Sequence, residues 1–278
     1  MRADLRAKLD AFLHKIKSQP AVMGVLNVTP DSFSDGGRFQ AFDAAVARAR
    51  AMVGEGCDIV DVGAESTRPA AAPVPEAEEL ARLEPILTEL ARVLDAPLSV
   101  DTYKAAVAAR AAEIGAVVIN DVWGLQRDVK MADIVAQAQA AVVITHNRAE
   151  RDATVDIVAD IRRFFDRSLA LAARAGIRNE AIILDPGIGF GKTARQNVEA
   201  LASIPNFKDY GFPILVGASR KAFLGSLTGD GIEATLAGTV AVSLMAAAAG
   251  ASIFRVHDVA EHVAALRVLD AIRSTAGR

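Results

Sequence analysis

Three residues able to hold the edge of a planar heterocycle stand at the ends of short apolar runs. They are Asp101 after Leu98–Val100, Asn120 within Val117–Val122, and Asp185 after Ile182–Leu184. Carboxylates accept hydrogen bonds and a carboxamide both donates and accepts, so the set suits a ring with donors and acceptors side by side. Buried, these groups would need partners. Asp101 has a competing reading as a helix N-cap, because Thr102-Tyr103-Lys104 follows at an expected helix start. Capping does not account for all three together.

A second group is cationic or can become so: Lys221, Arg255 and His257. Such groups suit a phosphate, and an Arg can also lie flat on an aromatic ring. A lone Lys or Arg more often makes a surface salt bridge. Arg255 and His257, however, alternate along one short strand and should point the same way. Between Asn27 and Gly37 lies a polar loop with two Asp, two Ser, a Thr, a Pro and one aromatic, Phe33. Loops of this make-up close over substrates and exclude water. Asn27, at a strand end, could ligate a hard cation such as Mg²⁺ through its amide oxygen, with phosphate and water completing the shell. Nothing points to a structural zinc: His257 and His262 have no Cys or carboxylate cluster at zinc-site spacing. Gly187-Ile-Gly-Phe-Gly-Lys-Thr193 does not fit a P-loop, since Pro186 stands where the first glycine belongs. Nor does it fit the dinucleotide pattern, whose third glycine would be Lys192. A tight turn beside Asp185 is expected instead.

Scattered polar residues make one site only if the elements bring them together. Eight apolar runs recur: Val22–Val28, Ile59–Val62, Leu98–Val100, Val117–Val122, Ala141–Thr145, Ile182–Leu184, Ile214–Val216 and Ile253–Val256. Ala-rich helical stretches such as Asp43–Gly54, Pro75–Leu94 and Tyr103–Ile114 lie between them. Continuous apolar strands indicate burial on both faces, as in parallel sheets. Strand–helix alternation repeated eight times implies the α/β class and a (β/α)8 TIM barrel, with an open doubly wound sheet as the alternative. In a barrel the C-terminal strand ends converge on one face. That would gather Asn27, Asp101, Asn120, Asp185, Lys221, Arg255 and His257.

The chain has 278 residues, 52% of them hydrophobic and 23% charged, with a net charge of −3. That length suits one barrel, and no Pro- or Gly-rich linker divides it. Met1–Pro20 reads as a short amphipathic helix ahead of a barrel spanning 21–278. No basic block suggests nucleic acid. The single cysteine, Cys57, fits a reducing compartment. The apolar stretch Leu236–Phe254 is interrupted by Gly250 and reads as a buried helix followed by a strand rather than a membrane span. A cytoplasmic protein is expected.

Several of these segments resemble the dihydropteroate synthases, over nearly the whole chain. The first is Val22-Met-Gly-Val-Leu-Asn-Val-Thr-Pro-Asp-Ser-Phe-Ser-Asp-Gly-Gly37. In order come Glu65-Ser-Thr-Arg-Pro69, Ser99-Val-Asp-Thr102, Ile119-Asn-Asp121, Asp185-Pro-Gly187, Ser219-Arg-Lys221 and Phe254-Arg-Val-His-Asp258. The resemblance implies an enzyme joining 6-hydroxymethyl-7,8-dihydropterin diphosphate to 4-aminobenzoate. It assigns Thr67, Asp101, Asn120, Asp185, Lys221 and Arg255 to the pterin, and Asn27, Arg255 and His257 to the diphosphate. Phe33, Thr67, Arg68, Pro69, Ser219 and Lys221 fall to the aminobenzoate pocket. Lys221, Arg255 and His257 would support catalysis, and Asn27 would ligate Mg²⁺. A homodimer through C-terminal helices and inhibition by sulfonamides, which mimic aminobenzoate, are also implied.

The chain departs from the family pattern at three places. Ala70 and Ala222 replace a usual Gly and Ser, and the fifth strand ends in Thr145-His-Asn-Arg-Ala-Glu-Arg151. Two rivals share the pterin contacts: a methyltetrahydrofolate-dependent methyltransferase and a non-catalytic paralogue. The first would have no use for the Asn27–Gly37 loop, and the second would be expected to lose Asn27, Lys221, Arg255 or His257.

Overall fold

Each of the eight apolar runs forms a strand. The computed structural model describes residues 1–28, 37–66, 72–228 and 232–276. The strands are β1 (Ala21–Asn27), β2 (Ile59–Gly63), β3 (Leu98–Asp101), β4 (Ala116–Asp121), β5 (Ala141–Thr145), β6 (Ile182–Asp185), β7 (Leu215–Val216) and β8 (Ile253–Val256). The helices are α1 (Ala3–Lys15), α2 (Gly37–Glu55), α3 (Glu76–Val93), α4 (Ala105–Ile114), α5 (Met131–Ala138), α6 (Ile157–Ala175), α7 (Ala194–Ala202), α8 (Ile204–Phe207), α9 (Ala222–Thr228), α10 (Ile232–Ala248) and α11 (Val259–Ala276). The strand order is β6-β5-β4-β3-β2-β1-β8-β7, and every pairing is parallel. A parallel bridge between Leu184 and Ile214 links β6 to β7. The sheet is thus a nearly closed barrel, not an open sheet.

Side chains alternate along each strand. Val22, Val60, Val62, Ile119, Val142, Ile182, Leu184 and Phe254 pack with the surrounding helices. Met23, Ile59, Val118, Val143, Ile183 and Ile253 form a separate inner cluster at the N-terminal end of the barrel. Burial on both faces explains why the strands read as unbroken apolar runs. Helix α1 closes that end. Its Leu5, Leu9, Phe12 and Leu13 join the inner cluster, with Leu9 fully buried. Each such side chain contributes about 1.5–3 kcal/mol on burial, so Leu9→Ala should cost about 2–5 kcal/mol.

Two residues further along five of the strands the inner layer turns polar. Asp61 follows Ile59, Asn120 follows Val118, Thr145 follows Val143, Asp185 follows Ile183 and Arg255 follows Ile253. The register aligns Gly63 with Asp101, Asp101 with Asn120, and Thr145 with Asp185. The site therefore sits on an apolar floor of the same strands.

One expectation needs correcting. The stretch from Leu236 is helix followed by strand, as read, but α10 is not a buried helix. Its Ala246 and Ala247 are buried while Met245 is 71% exposed. The helix is apolar all round, and the barrel covers only one of its faces. No helix among the described residues is long and apolar enough to cross a membrane.

Candidate active site

Arg255 organises the polar layer. Its Nε donates to Asp61 Oδ2 at 2.7 Å and one Nη donates to Asp101 Oδ2 at 2.6 Å. Asn120 Nδ2 donates to the same Asp61 oxygen at 3.0 Å. Asp61, Asp101 and Asn120 are all buried. One guanidinium thus serves two carboxylates. The second oxygens, Asp61 Oδ1 and Asp101 Oδ1, are buried with no hydrogen-bond partner among the described residues. Burial pushes the Asp101 carboxyl above its usual range, against the pull of Arg255, and Asp61 beside it pushes the same way. Arg255 itself is held firmly charged by its carboxylates despite burial. We read the cluster as one fixed cation with more carboxylate than it can neutralise. A donor pair on a ligand would relieve that imbalance.

Asp101 does not cap α4. The N-cap of that helix is Lys104, without a side-chain cap. The free amides are instead met by Thr102 Oγ1, which accepts from Lys104 N at 3.2 Å, and Asp128 Oδ2, which accepts from Ala105 N at 2.9 Å. Its neighbour in sequence to Asn120, Asp121, is structural. Its two oxygens accept from Trp123 N and Leu125 N at 2.8 and 2.7 Å and pin the turn after β4.

Asp185 lies across the mouth. Its Oδ1 accepts from Gly187 N at 2.7 Å, and Thr145 Oγ1 stands 3.5 Å from its Oδ2. Burial raises its pKa, opposed first by Lys221. The glycine-rich segment is the expected tight turn. Gly187 and Gly189 both have positive φ, at 67° and 89°. A Cβ at Gly187 would come within 1.8 Å of the His146 carbonyl, and one at Gly189 within 2.6 Å of Lys221 Cδ. At Gly187, where the obstacle is backbone, only glycine permits both the conformation and the close approach. Lys221 lies on this turn: its Nζ donates to the Ile188 carbonyl and sits 4.3 Å from the centre of the Phe190 ring. Loss of water lowers the Lys221 pKa to about 8.

His257 faces a different part of the mouth. With Asn27, Arg48, Arg220 and Asp258 it lines a cavity of about 380 Å³. Its Nδ1 lies 3.0 Å from Ser219 Oγ, and its backbone N–H donates to that oxygen at 3.2 Å. Burial, then the charge of Arg255, lowers its pKa to about 4, so it is neutral at pH 7 in the free protein. Arg48 donates to the His257 carbonyl at 2.9 Å. Arg220 grips Asp258 and holds a positive φ of 56°. For a residue with a Cβ that conformation costs roughly 1–2 kcal/mol, and it turns the chain between Ser219 and Lys221.

The structure brings together Asp101, Asn120, Asp185, Lys221 and Arg255, and separately Asn27, Ser219 and His257. Arg255 and His257, expected to point the same way, hold different partners: Asp61 and Asp101 for Arg255, Ser219 for His257. The strand ends at Val256, so the period of two no longer governs His257. Phe33, Thr67, Arg68 and Pro69 lie outside the described residues. Sequence reasoning missed Asp61, although a carboxylate inside the apolar run Ile59–Val62 was a signal. It also missed Arg48, on α2, for which the sequence offered none.

The sequence matches the family profile "Pterin binding enzyme" over residues 23–257. It is 44% identical to dihydropteroate synthase from Clostridium beijerinckii, over 95% of this chain and 98% of that one. With the Bacillus subtilis enzyme it shares 41% identity, over 94% and 91%. Among solved structures, dihydropteroate synthase from Clostridium difficile, determined in the presence of pteroic acid, superposes with a TM-score of 0.89. Identity is 45%, covering 92% of this chain and 97% of that one. The Xanthomonas albilineans enzyme in complex with 7,8-dihydropteroate gives 0.85 at 43% identity, covering 92% and 94%. Sequence, fold and the polar layer agree, and the chain belongs to the pterin-binding enzymes, within them to the dihydropteroate synthases.

Proposed function

We propose that the protein condenses 6-hydroxymethyl-7,8-dihydropterin diphosphate with 4-aminobenzoate, giving 7,8-dihydropteroate and diphosphate. The observation that carries this reading is the pair of buried oxygens, Asp61 Oδ1 and Asp101 Oδ1, lacking partners among the described residues beside the fixed cation of Arg255. The amidine edge of a pterin supplies adjacent N–H donors to such a carboxylate. Asn120 and Asp185 address the remaining ring polar atoms, Lys221 an acceptor, and the face of Arg255 stacks on the ring.

In the reaction, the bond between the exocyclic CH₂ and the diphosphate oxygen breaks, and a bond to the arylamine nitrogen forms. The electron-rich pterin stabilises positive charge on the methylene, so departure can precede attack. The arylamine is neutral at pH 7 and loses its proton to solvent or diphosphate after bonding, so no strong base is required. His257, Arg220 and Arg48 line the cavity that would receive the diphosphate.

Magnesium belongs to this proposal. Among the described residues no cluster of three His, Cys, Asp or Glu could cage a metal. A hard cation that takes one amide oxygen, from Asn27, and fills its shell with diphosphate and water oxygens fits the donor set. Bound there it would neutralise charge on the leaving group. We also propose a homodimer through α9, α10 and α11, whose Leu227, Met245, Val268 and Ile272 are each more than half exposed. The pocket for 4-aminobenzoate would also admit sulfonamides.

The deciding experiment follows diphosphate release from pterin diphosphate and Mg²⁺, with and without 4-aminobenzoate. Release that requires the arylamine and yields dihydropteroate supports the proposal. Tight pterin binding without release would overturn it in favour of a non-catalytic pterin binder.

A further inference from the structure

Behind the turn that Lys221 rests on, a chain of three polar side chains that the reaction does not use runs from buried Lys192 and His146 to half-buried Asp160. Lys192 is 2% exposed. Its Nζ lies 2.7 Å from the Gly187 carbonyl, 3.3 Å from the Phe190 carbonyl and 2.7 Å from His146 Nδ1. On the far side of the ring, His146 Nε2 lies 3.2 Å from Asp160 Oδ2. Asp160 is held in turn by Arg163 at 3.1 Å.

Hydrogen-bond counting fixes the protons. The two carbonyls only accept. Asp160, pulled down to about 2 chiefly by its bond to the imidazole, is a carboxylate and also only accepts. Nε2 of His146 therefore carries the hydrogen and Nδ1 accepts. Burial holds this imidazole neutral, with its pKa lowered to about 4. Lys192 then faces three acceptors, and only an ammonium has three N–H bonds to fill them. Burial pushes its pKa well below the ordinary value, opposed first by Asp185. The charge thus depends on its acceptors, and Asp160 stabilises it through the ring.

The carbonyls that Lys192 holds bracket the residues that touch Lys221. Gly187 and Phe190 flank Ile188, whose carbonyl accepts from Lys221, and Phe190 supplies the ring beneath its Nζ. The turn has three residues of positive φ, Gly187, Gly189 and Gly191, and so little stiffness of its own. We propose that Lys192, oriented by His146 and Asp160, is a positioning residue that fixes this turn and so sets the Lys221 amine in the pterin pocket. The proposal rests on Lys221 as a pterin contact.

The test is a double-mutant cycle on the full-length protein, read as the dissociation constant for pterin diphosphate by calorimetry. Lys192→Met keeps the length and apolar volume but removes the donors. It should weaken binding about tenfold, and should add less than about twofold once Lys221→Ala is present. A merely structural Lys192 would cost the same in both backgrounds, which overturns the proposal. So does unchanged binding in folded Lys192→Met while Lys221→Ala binds weakly. Unchanged binding in Lys221→Ala instead refutes the underlying role of Lys221. Should Lys192→Met not fold, Asp160 at the surface end of the chain carries the same test. Asp160→Ala should weaken binding about threefold only when Lys221 is present, and Asp160→Asn, whose oxygen still accepts from Nε2–H, should restore it. Wild-type binding in Asp160→Ala overturns the proposal.

Discussion

Arg255 Nε lies 2.7 Å from Asp61 Oδ2, a carboxylate oxygen that also accepts from Asn120. Asp61 is fully buried and the Arg255 side chain is 17% exposed. The ion pair is therefore the frame on which two pterin contacts hang, and Asp61 need not touch the pterin to matter.

Removing one partner of a buried pair strands the other charge, which costs about 3–5 kcal/mol. Asp61→Ala should therefore lower unfolding free energy by about that amount, seen as a fall in the urea midpoint at unchanged m-value. Pterin binding should weaken as well, because Arg255 and Asn120 lose their common anchor. A variant of wild-type stability would show that Asp101 alone suffices for Arg255.

Lys221 should write itself into the pH profile. Loss of water lowers its pKa to about 8, so its ammonium discharges as the pH rises through that value. Since kcat/KM reports ionisations of the free enzyme, kcat/KM for pterin diphosphate should fall above about pH 8. Lys221→Arg stays charged throughout and should lose that limb, even at lower activity. A limb unmoved in Lys221→Arg would assign it to another group.

Much of this site was legible because strands impose a period of two and barrels gather strand ends. Asp101, Asn120 and Asp185 could be read straight from the ends of apolar runs, and the structure sets them in one polar layer. What the sequence hid depends on side chains that cross between elements. Asp61 sits one register layer below the strand tip, where a polar residue looks like an interruption. His146 and Lys192 are 46 positions apart and meet only because β5 and β6 are neighbours. Arg48 comes from a helix face that no strand rule reaches. The bond between Ser219 and His257 likewise joins residues 38 positions apart, across the turn at Arg220 after β7.

The neutral His146 should make the fold acid-sensitive. Its folded pKa of about 4 lies below the ordinary imidazole value of 6.5. Between these values the unfolded chain binds a proton that the folded chain refuses. The stabilisation is complete above pH 6.5 and is lost as the pH falls towards 4. By pH 5 the loss from this one group is about 2 kcal/mol. His257, lowered similarly, acts in the same window. Urea unfolding of the wild type at pH 7.5 and pH 5 should show this drop, and His146→Asn should reduce the difference by roughly half. An identical drop in the variant would place the acid sensitivity elsewhere.

The exposed apolar face predicts self-association. Helix α10 packs against both α9 and α11, and Arg273 on α11 donates to the Ala247 carbonyl at 2.8 Å, joining the last two helices into one surface. Met245, Val268, Ile272 and Leu227 stand out from it at 60–71% exposure. Exposed large apolar side chains gathered on packed helices mark interaction surfaces, and a stable dimer needs about 800 Å² from each partner. Met245→Asp places a charge at that face without touching the core. Sedimentation should show a dimer for the wild type at micromolar concentration and a monomer for the variant, with the barrel still folded by circular dichroism. A monomeric wild type would leave the apolar outer face of α10 without this explanation.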